Sequence, residues 1–171
     1  MEQNKPRIMK NSTTLLEFAA LNYSLTSNQK EALNDIAEFL SSDKFCFVLK
    51  GYAGTGKTFL LGVINAYFKT IKRDLVFAAP TGRAAKVINN SIKAPAYTIH
   101  KTIYSKNNFK EFKIKNLDGS ETFKYSFQLK NNEDQANTMY LIDEASMISD
   151  VYNEMEFFRF GSGHLLRDLF N

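Results

Sequence analysis

Phosphate chemistry is written into Gly51-Tyr52-Ala53-Gly54-Thr55-Gly56-Lys57-Thr58, which fits the pattern G-x-x-x-x-G-K-[ST]. Gly51, Gly54 and Gly56 admit backbone dihedrals that side chains forbid, and they let the chain approach a ligand closely. The loop's N–H groups can then converge on phosphate oxygens, with the positive end of the next helix behind them. Lys57 is placed to reach the β- and γ-phosphates, and the Thr58 hydroxyl to ligate Mg²⁺. A second group, Asp143-Glu144, closes an apolar run from Met139 to Ile142. Asp143 can hold the same Mg²⁺, directly or through water, and Glu144 can polarise an attacking water as general base. Adjacent acids are favoured at any helix N-terminus, so the pair takes its functional reading from sharing a chain with the loop.

Other residues carry two readings each. Gln29 stands three residues after Thr26, the spacing at which its side chain folds back to cap a helix. Its amide is equally suited to hydrogen bonding an adenine edge. Pro80-Thr81-Gly82-Arg83 follows an apolar run at Leu75–Ala79, at the sheet edge where open α/β folds bind ligands. Arg83 is either a contact for a nucleic-acid phosphate or an ordinary solvated arginine. His100, in Thr98-Ile99-His100, is either a packed ring or a functional one. Two histidines and one cysteine, none clustered, exclude a structural zinc site.

These groups need elements to hold them. Phe45–Leu49 is a short apolar run, expected as a buried strand leading into the loop. Phe59, Leu60, Val63, Ile64, Tyr67, Phe68 and Ile71 recur at helical spacing behind it. Strand, glycine loop and helix are the context the motif requires. Leu75–Ala79 and Met139–Ile142 read as further buried strands. Thr14–Leu21 reads as a short helix with a Thr14/Glu17 capping box, and a second helix follows Thr26. Phe123, Tyr125, Phe127 and Leu129 alternate with polar residues, as do Phe112 and Ile114, around an Asp118-Gly119 turn signal. That is a β-hairpin with one apolar face, which either packs or stacks nucleic-acid bases. Ile148–Phe160 and His164–Phe170 are expected to be helical. Residues 1–11 read as a flexible arm, 12–104 and 132–171 as an incomplete ATPase domain, and 105–131 as an inserted hairpin subdomain.

Bulk composition agrees with this picture. Lys+Arg 22 against Asp+Glu 18 gives a net charge of +4, which permits a polyanionic partner. Cys46, the lone cysteine, is expected as a small buried residue of the first strand. No apolar run approaches the roughly 18 residues of a membrane span, and the first residues lack the apolar centre of a signal peptide. A soluble cytoplasmic protein is the expectation.

The chain resembles the first motor domain of superfamily 1 DNA helicases of the RecD/Dda type. The matching stretches are Leu25-Thr-Ser-Asn-Gln29, Gly51–Thr58, Ala79-Pro-Thr-Gly-Arg-Ala-Ala85, Thr98-Ile-His100 and Leu141-Ile-Asp-Glu-Ala-Ser146, in the family's order. The resemblance implies a RecA-like α/β fold of the P-loop NTPase class, a parallel sheet with flanking helices that binds ATP and Mg²⁺. The nucleotide would meet Gln29, Gly51, Ala53, Gly54, Thr55, Gly56, Lys57 and Thr58, with Lys57 and Glu144 catalytic and Thr58 and Asp143 on the metal. It implies that Pro80, Thr81, Arg83, Thr98 and His100 face single-stranded DNA, that residues 105–131 carry a strand-splitting pin, and that movement is 5′→3′. Such helicases continue into a second RecA-like domain, so a truncated protein, inactive alone, is the expectation. By the same resemblance a later strand would lie between residues 45–49 and 138–142, leaving a slot there. Another P-loop enzyme or a non-catalytic nucleotide- or DNA-binding module is the competing reading. A guanine-reading Asn-Lys-x-Asp tetrapeptide is absent, and residues 105–131 contain no arginine for a kinase lid.

Overall fold

The computed structural model of the chain describes residues 13–52, 54–115 and 117–171. The expected N-terminal arm, Ala53 and Asn116 lie outside them. The architecture is mixed α/β with a parallel three-stranded sheet and flanking helices, as expected. The chain divides into two compact units: one runs to Leu75 and takes in Ser91–Ala94, and the other comprises Val76–Asn90 and Pro95–Asn171.

The first unit is helical. Helix α1 (Leu15–Asn22) opens with the expected capping box, Glu17 N–H on Thr14 Oγ1 at 3.3 Å and Thr14 N–H on Glu17 Oε2 at 2.9 Å. Helix α2 (Ser27–Leu40) repeats the device with Thr26 and Gln29. Helix α3 (Lys57–Thr70) follows the glycine loop. The core is Leu15, Phe18 and Ala19 of α1, Leu33 and Ile36 of α2, and Leu60, Leu61, Val63, Ile64 and Phe68 of α3. Each large side chain among them contributes about 1.5–3 kcal/mol by leaving water. The Phe18 ring meets Tyr67 at 5.7 Å, and the Tyr67 hydroxyl donates to Thr13 O at 3.2 Å.

One expectation fails in this unit. Phe45–Leu49 forms no strand. Phe45 is 86% exposed and Val48 66%, and Cys46 is exposed rather than buried. Apolar composition makes a strand only where a neighbour supplies the ladder, and neither described sheet includes these residues. The expected slot beside strand 45–49 therefore loses one of its walls.

In the second unit, β1 (Leu75–Ala79), β2 (Ala96–Thr98) and β5 (Met139–Ile142) form a sheet of order β2-β1-β5. Strands β1 and β2 run parallel with Ala79 opposite Thr98. Helix α4 (Gly82–Ile92) leaves the end of β1 and buries Ala85 and Ile88, one turn apart. Helix α5 (Ile99–Ile103) follows β2 directly. The hairpin is present: β3 (Tyr104–Lys115) and β4 (Glu121–Leu129) pair antiparallel. Gly119 turns at φ +84°, and the Asp118 carboxylate accepts from Ser120 N at 2.9 Å.

The C-terminal stretch corrects the sequence reading. Ile148–Phe160 is not a helix. After a short 3-10 turn (Ala145–Met147) the chain is irregular until β6 (Phe158–Phe160), which adds a third, parallel strand to the hairpin through Tyr125–Phe158 and Phe127–Phe160. Only Leu165–Leu169, α6, is helical beyond it. The cause is non-local: Phe158 and Phe160 fall on the face of the sheet that carries Phe109, Tyr125 and Phe127. The Phe127 ring stacks on Phe160 at 5.2 Å and the Tyr125 ring on Phe158 at 6.2 Å. Of the two readings of the hairpin's aromatic face, packing is thus present, although Phe109 and Phe158 stay 47% and 41% exposed.

Candidate functional site

In the first unit, the phosphate loop is held by its own polar groups. Gly54 and Gly56 take φ +78° and +88°, the left-handed region where a Cβ is costly. Gly56 is the N-cap of α3, so no cap side chain covers that helix's first N–H groups. These are the donors that a phosphate can accept from. Lys57 Nζ donates to Gly51 O at 2.6 Å and Tyr52 O at 2.9 Å, and Thr55 Oγ1 donates to Tyr52 O at 2.8 Å. The ammonium thus lies over the mouth of its loop with one of three protons uncommitted. Gly51 is needed for close approach, because a Cβ there would stand 2.9 Å from Thr55 Oγ1. Thr58 is exposed at the start of α3.

Gln29 belongs to the same unit. Its Oε1 accepts from Thr26 N–H at 3.0 Å and its own N–H donates to Thr26 Oγ1 at 3.3 Å. Its Nε2 lies 2.7 Å from where a Cβ on Gly56 would stand. The capping role is therefore realised, and the remaining amide nitrogen rests on the loop.

In the second unit, the carboxyl edge of the parallel sheet gathers three predicted groups. Asp143 N–H donates to Ala78 O at 3.1 Å, placing the acid beside the end of β1. Asp143 Oδ1 accepts from Glu144 N–H at 2.9 Å. Thr81 follows β1, and its Oγ1 accepts from Ala84 N–H at 3.2 Å; Thr98 ends β2, and its Oγ1 accepts from Lys101 N–H at 3.1 Å. Both hydroxyls cap helices and retain a proton to donate outward. Pro80 is half-buried between β1 and α4. Arg83 is exposed on α4, with no hydrogen bond or ion pair among the described residues. His100 is half-buried, with Phe160 at 4.9 Å edge-on and Tyr104 at 5.5 Å. Burial pushes its pKa below the ordinary histidine value and favours the neutral ring.

Thr58 and the loop fall in the first unit, and Asp143 and Glu144 in the second. The donor types fit Mg²⁺, a hard ion that takes one or two protein oxygens and completes its shell with phosphate and water. Among the described residues no group of three or more histidines, cysteines or acids could hold a metal ion.

Glu144 has a feature that the sequence did not signal. It sits at φ +54°, ψ +36°, the left-handed region. Lys72 and Lys93 share that region just past the ends of α3 and α4, where it is a common helix terminator. Glu144 sits instead at a strand end, where strain of about 1–3 kcal/mol accompanies many functional residues. Glu144→Gly is expected to raise stability by about 0.5–1 kcal/mol, the relief of strain less glycine's extra chain entropy. Urea unfolding checks this, and a lower midpoint would show that the conformation is unstrained.

Comparison with known proteins gives the family. The AAA domain matches residues 24–155, which include the loop, the Thr81–Arg83 turn and the acidic pair. An uncharacterized protein of Acanthamoeba polyphaga mimivirus is 31% identical over 134 residues, 72% of this chain and 27% of that protein. The ATP-dependent DNA helicase dda of Enterobacteria phage T4 is 36% identical over 77 residues, 44% of this chain and 18% of the helicase. This chain thus spans about a quarter or less of the length of these relatives. No solved structure matches it. Among the described residues no helix is long and apolar enough to cross a membrane. With a match over most of its length and the loop and acidic pair inside it, the chain belongs to the AAA-domain family of P-loop proteins.

Proposed function

We propose that this chain is the nucleotide-binding part of an ATP-dependent DNA helicase of the RecD/Dda type. The observation that carries the reading is the glycine loop with two left-handed glycines, an uncapped α3 N-terminus and Lys57 poised over it. Bound ATP would place its β- and γ-phosphates against the N–H groups of Gly51–Thr58. Lys57 would leave the Gly51 and Tyr52 carbonyls for the phosphates. Thr58 and Asp143 would hold Mg²⁺, which supplies charge neutralisation on the phosphate oxygens. Glu144 would orient and deprotonate the attacking water. Thr81, Thr98 and Arg83, with Pro80 and His100 beside them, would meet single-stranded DNA at the sheet edge, the threonine hydroxyls by donation and Arg83 by charge. Translocation would belong to a longer protein in which a second motor domain completes the ATP site, and the hairpin would act there as the pin.

Calorimetric titration with ATP and Mg²⁺ tests the reading. Lys57→Ala removes a charge-assisted contact worth about 1.5–3 kcal/mol, so affinity is expected to fall at least about tenfold. Equal affinities for variant and wild type would refute it.

A further inference from the structure

We propose that Lys130, the residue on which the chain leaves the hairpin, is a positioning residue for the single-strand contact at Thr98, acting through α5 and touching no nucleic acid itself. This rests on the reading of the sheet edge above and adds to it a residue from outside that edge. Helix α5 is five residues long, far below the roughly 12–15 at which a helix holds itself in water. It therefore depends on what meets its ends. At its start, Thr98 Oγ1 accepts from Lys101 N–H at 3.1 Å. At its finish, the carbonyls from His100 to Ile103 all have donors. Tyr104 N–H donates to His100 O. Lys130 Nζ donates to Lys101 O and, at 3.1 Å, to Thr102 O. Lys130 N–H donates to Ile103 O at 2.8 Å. One residue, 29 positions after Lys101, thus closes most of that helix end.

An ammonium suits that place, because the carbonyl end of a helix carries partial negative charge. The line from Lys130 to Thr98 is short. Lys101 accepts from the ammonium through its carbonyl and donates to the Thr98 hydroxyl through its N–H. That second bond takes a lone pair of the hydroxyl and fixes its rotamer, which leaves its own proton to point away from the helix. With the ammonium gone the last turn loosens, Lys101 N–H is no longer held, and the hydroxyl loses its aim. Ile99 is fully buried and keeps the start of α5 in place. The loss therefore falls on the aim of Thr98 rather than on the fold.

The test follows binding of the whole chain to a labelled oligothymidine by fluorescence anisotropy over a range of salt concentrations. It compares wild type with Lys130→Met, Lys130→Arg, Thr98→Val, Arg83→Ala and the double variant Lys130→Met, Thr98→Val. Methionine keeps an apolar stem and removes the ammonium. It is expected to weaken binding about threefold, the effect of one cation at a helix end. The salt dependence should stay as in wild type, since this ammonium neutralises no phosphate. Arg83→Ala, by contrast, is expected to reduce the slope of log K against log salt by about one. Lys130→Arg still donates to the carbonyls and is expected to restore wild-type affinity. In the Thr98→Val background, Lys130→Met is expected to change nothing further, because no hydroxyl is left to aim. An additive loss in the double variant overturns the inference and leaves the DNA-binding reading standing. So does a reduced salt slope in Lys130→Met, which would make the lysine a phosphate contact, and so does unchanged affinity. Failure of wild type to bind the single strand overturns both.

Discussion

Gly161→Ala is expected to destabilise the hairpin sheet by about 3 kcal/mol or more, the cost of breaking a buried hydrogen-bonded carboxylate site. Gly161 turns the chain after β6 at φ +48°. A Cβ there would lie 2.1 Å from Asp168 Oδ2 and 2.8 Å from Tyr104 Cε1. Neither neighbour is free to give way. Asp168 is 3% exposed, and its Oδ2 accepts from the Tyr104 hydroxyl at 2.7 Å and from Ser162 N–H at 2.9 Å. The tyrosine is itself buried, and burial together with the carboxylate pushes its pKa above the ordinary phenol value. Moving Asp168 to admit the methyl group breaks both bonds and strands the carboxylate; keeping it leaves atoms at an impossible separation. Left-handed backbone adds about 1–2 kcal/mol for alanine. Urea unfolding followed by hydrogen exchange of the β3 and β4 amides measures the effect. A loss under 1 kcal/mol would mean that α6 shifts freely and that the Tyr104–Asp168 bond holds little.

Elements with local causes are legible in the residues alone. Both capping boxes form because their partners are three residues apart and answer each other's N–H groups. The hairpin forms where polar and apolar residues alternate around Asp118-Gly119. Elements with distant causes are not legible in this way. Phe157, Phe158 and Phe160 have no alternation long enough to announce a strand, and β6 exists because Tyr125 and Phe127 lie opposite. Gly161 and Gly163, which look like a simple helix break, are instead two left-handed positions, the first pressed against Asp168 and the second against Tyr152. In the other direction, Phe45–Leu49 is apolar enough for a strand, yet composition cannot provide a ladder partner. The same division runs through the candidate site. Types and spacing mark the loop, Asp143 and Glu144, whereas the strained backbone of Glu144 and the contact of Gln29 with Gly56 depend on how the chain returns on itself.

Gly56→Ala is expected to remove nucleotide binding and to cost about 2–3 kcal/mol of stability. The backbone term comes first: φ +88° is open to glycine and costs alanine about 1–2 kcal/mol. The second term is steric. The new methyl group would stand 2.7 Å from Gln29 Nε2 and must displace the amide. Displacing it pulls Oε1 from Thr26 N–H, which undoes half of the α2 capping box at about 1 kcal/mol. Relaxation of Gly56 toward an ordinary helical φ would avoid both costs but would turn the loop's N–H groups away from a common centre. Affinity for ATP with Mg²⁺ is therefore expected to fall by more than about 30-fold, roughly two bonds to phosphate. The clash and the backbone requirement separate in the double variant Gly56→Ala, Gln29→Ala. Without the long amide no clash remains, and the cap bond to Thr26 is lost in either variant, so stability should stay near that of Gly56→Ala while binding stays lost, because the left-handed requirement persists. Recovery of binding in the double variant would show that the clash alone, and not the backbone of Gly56, governs the loop.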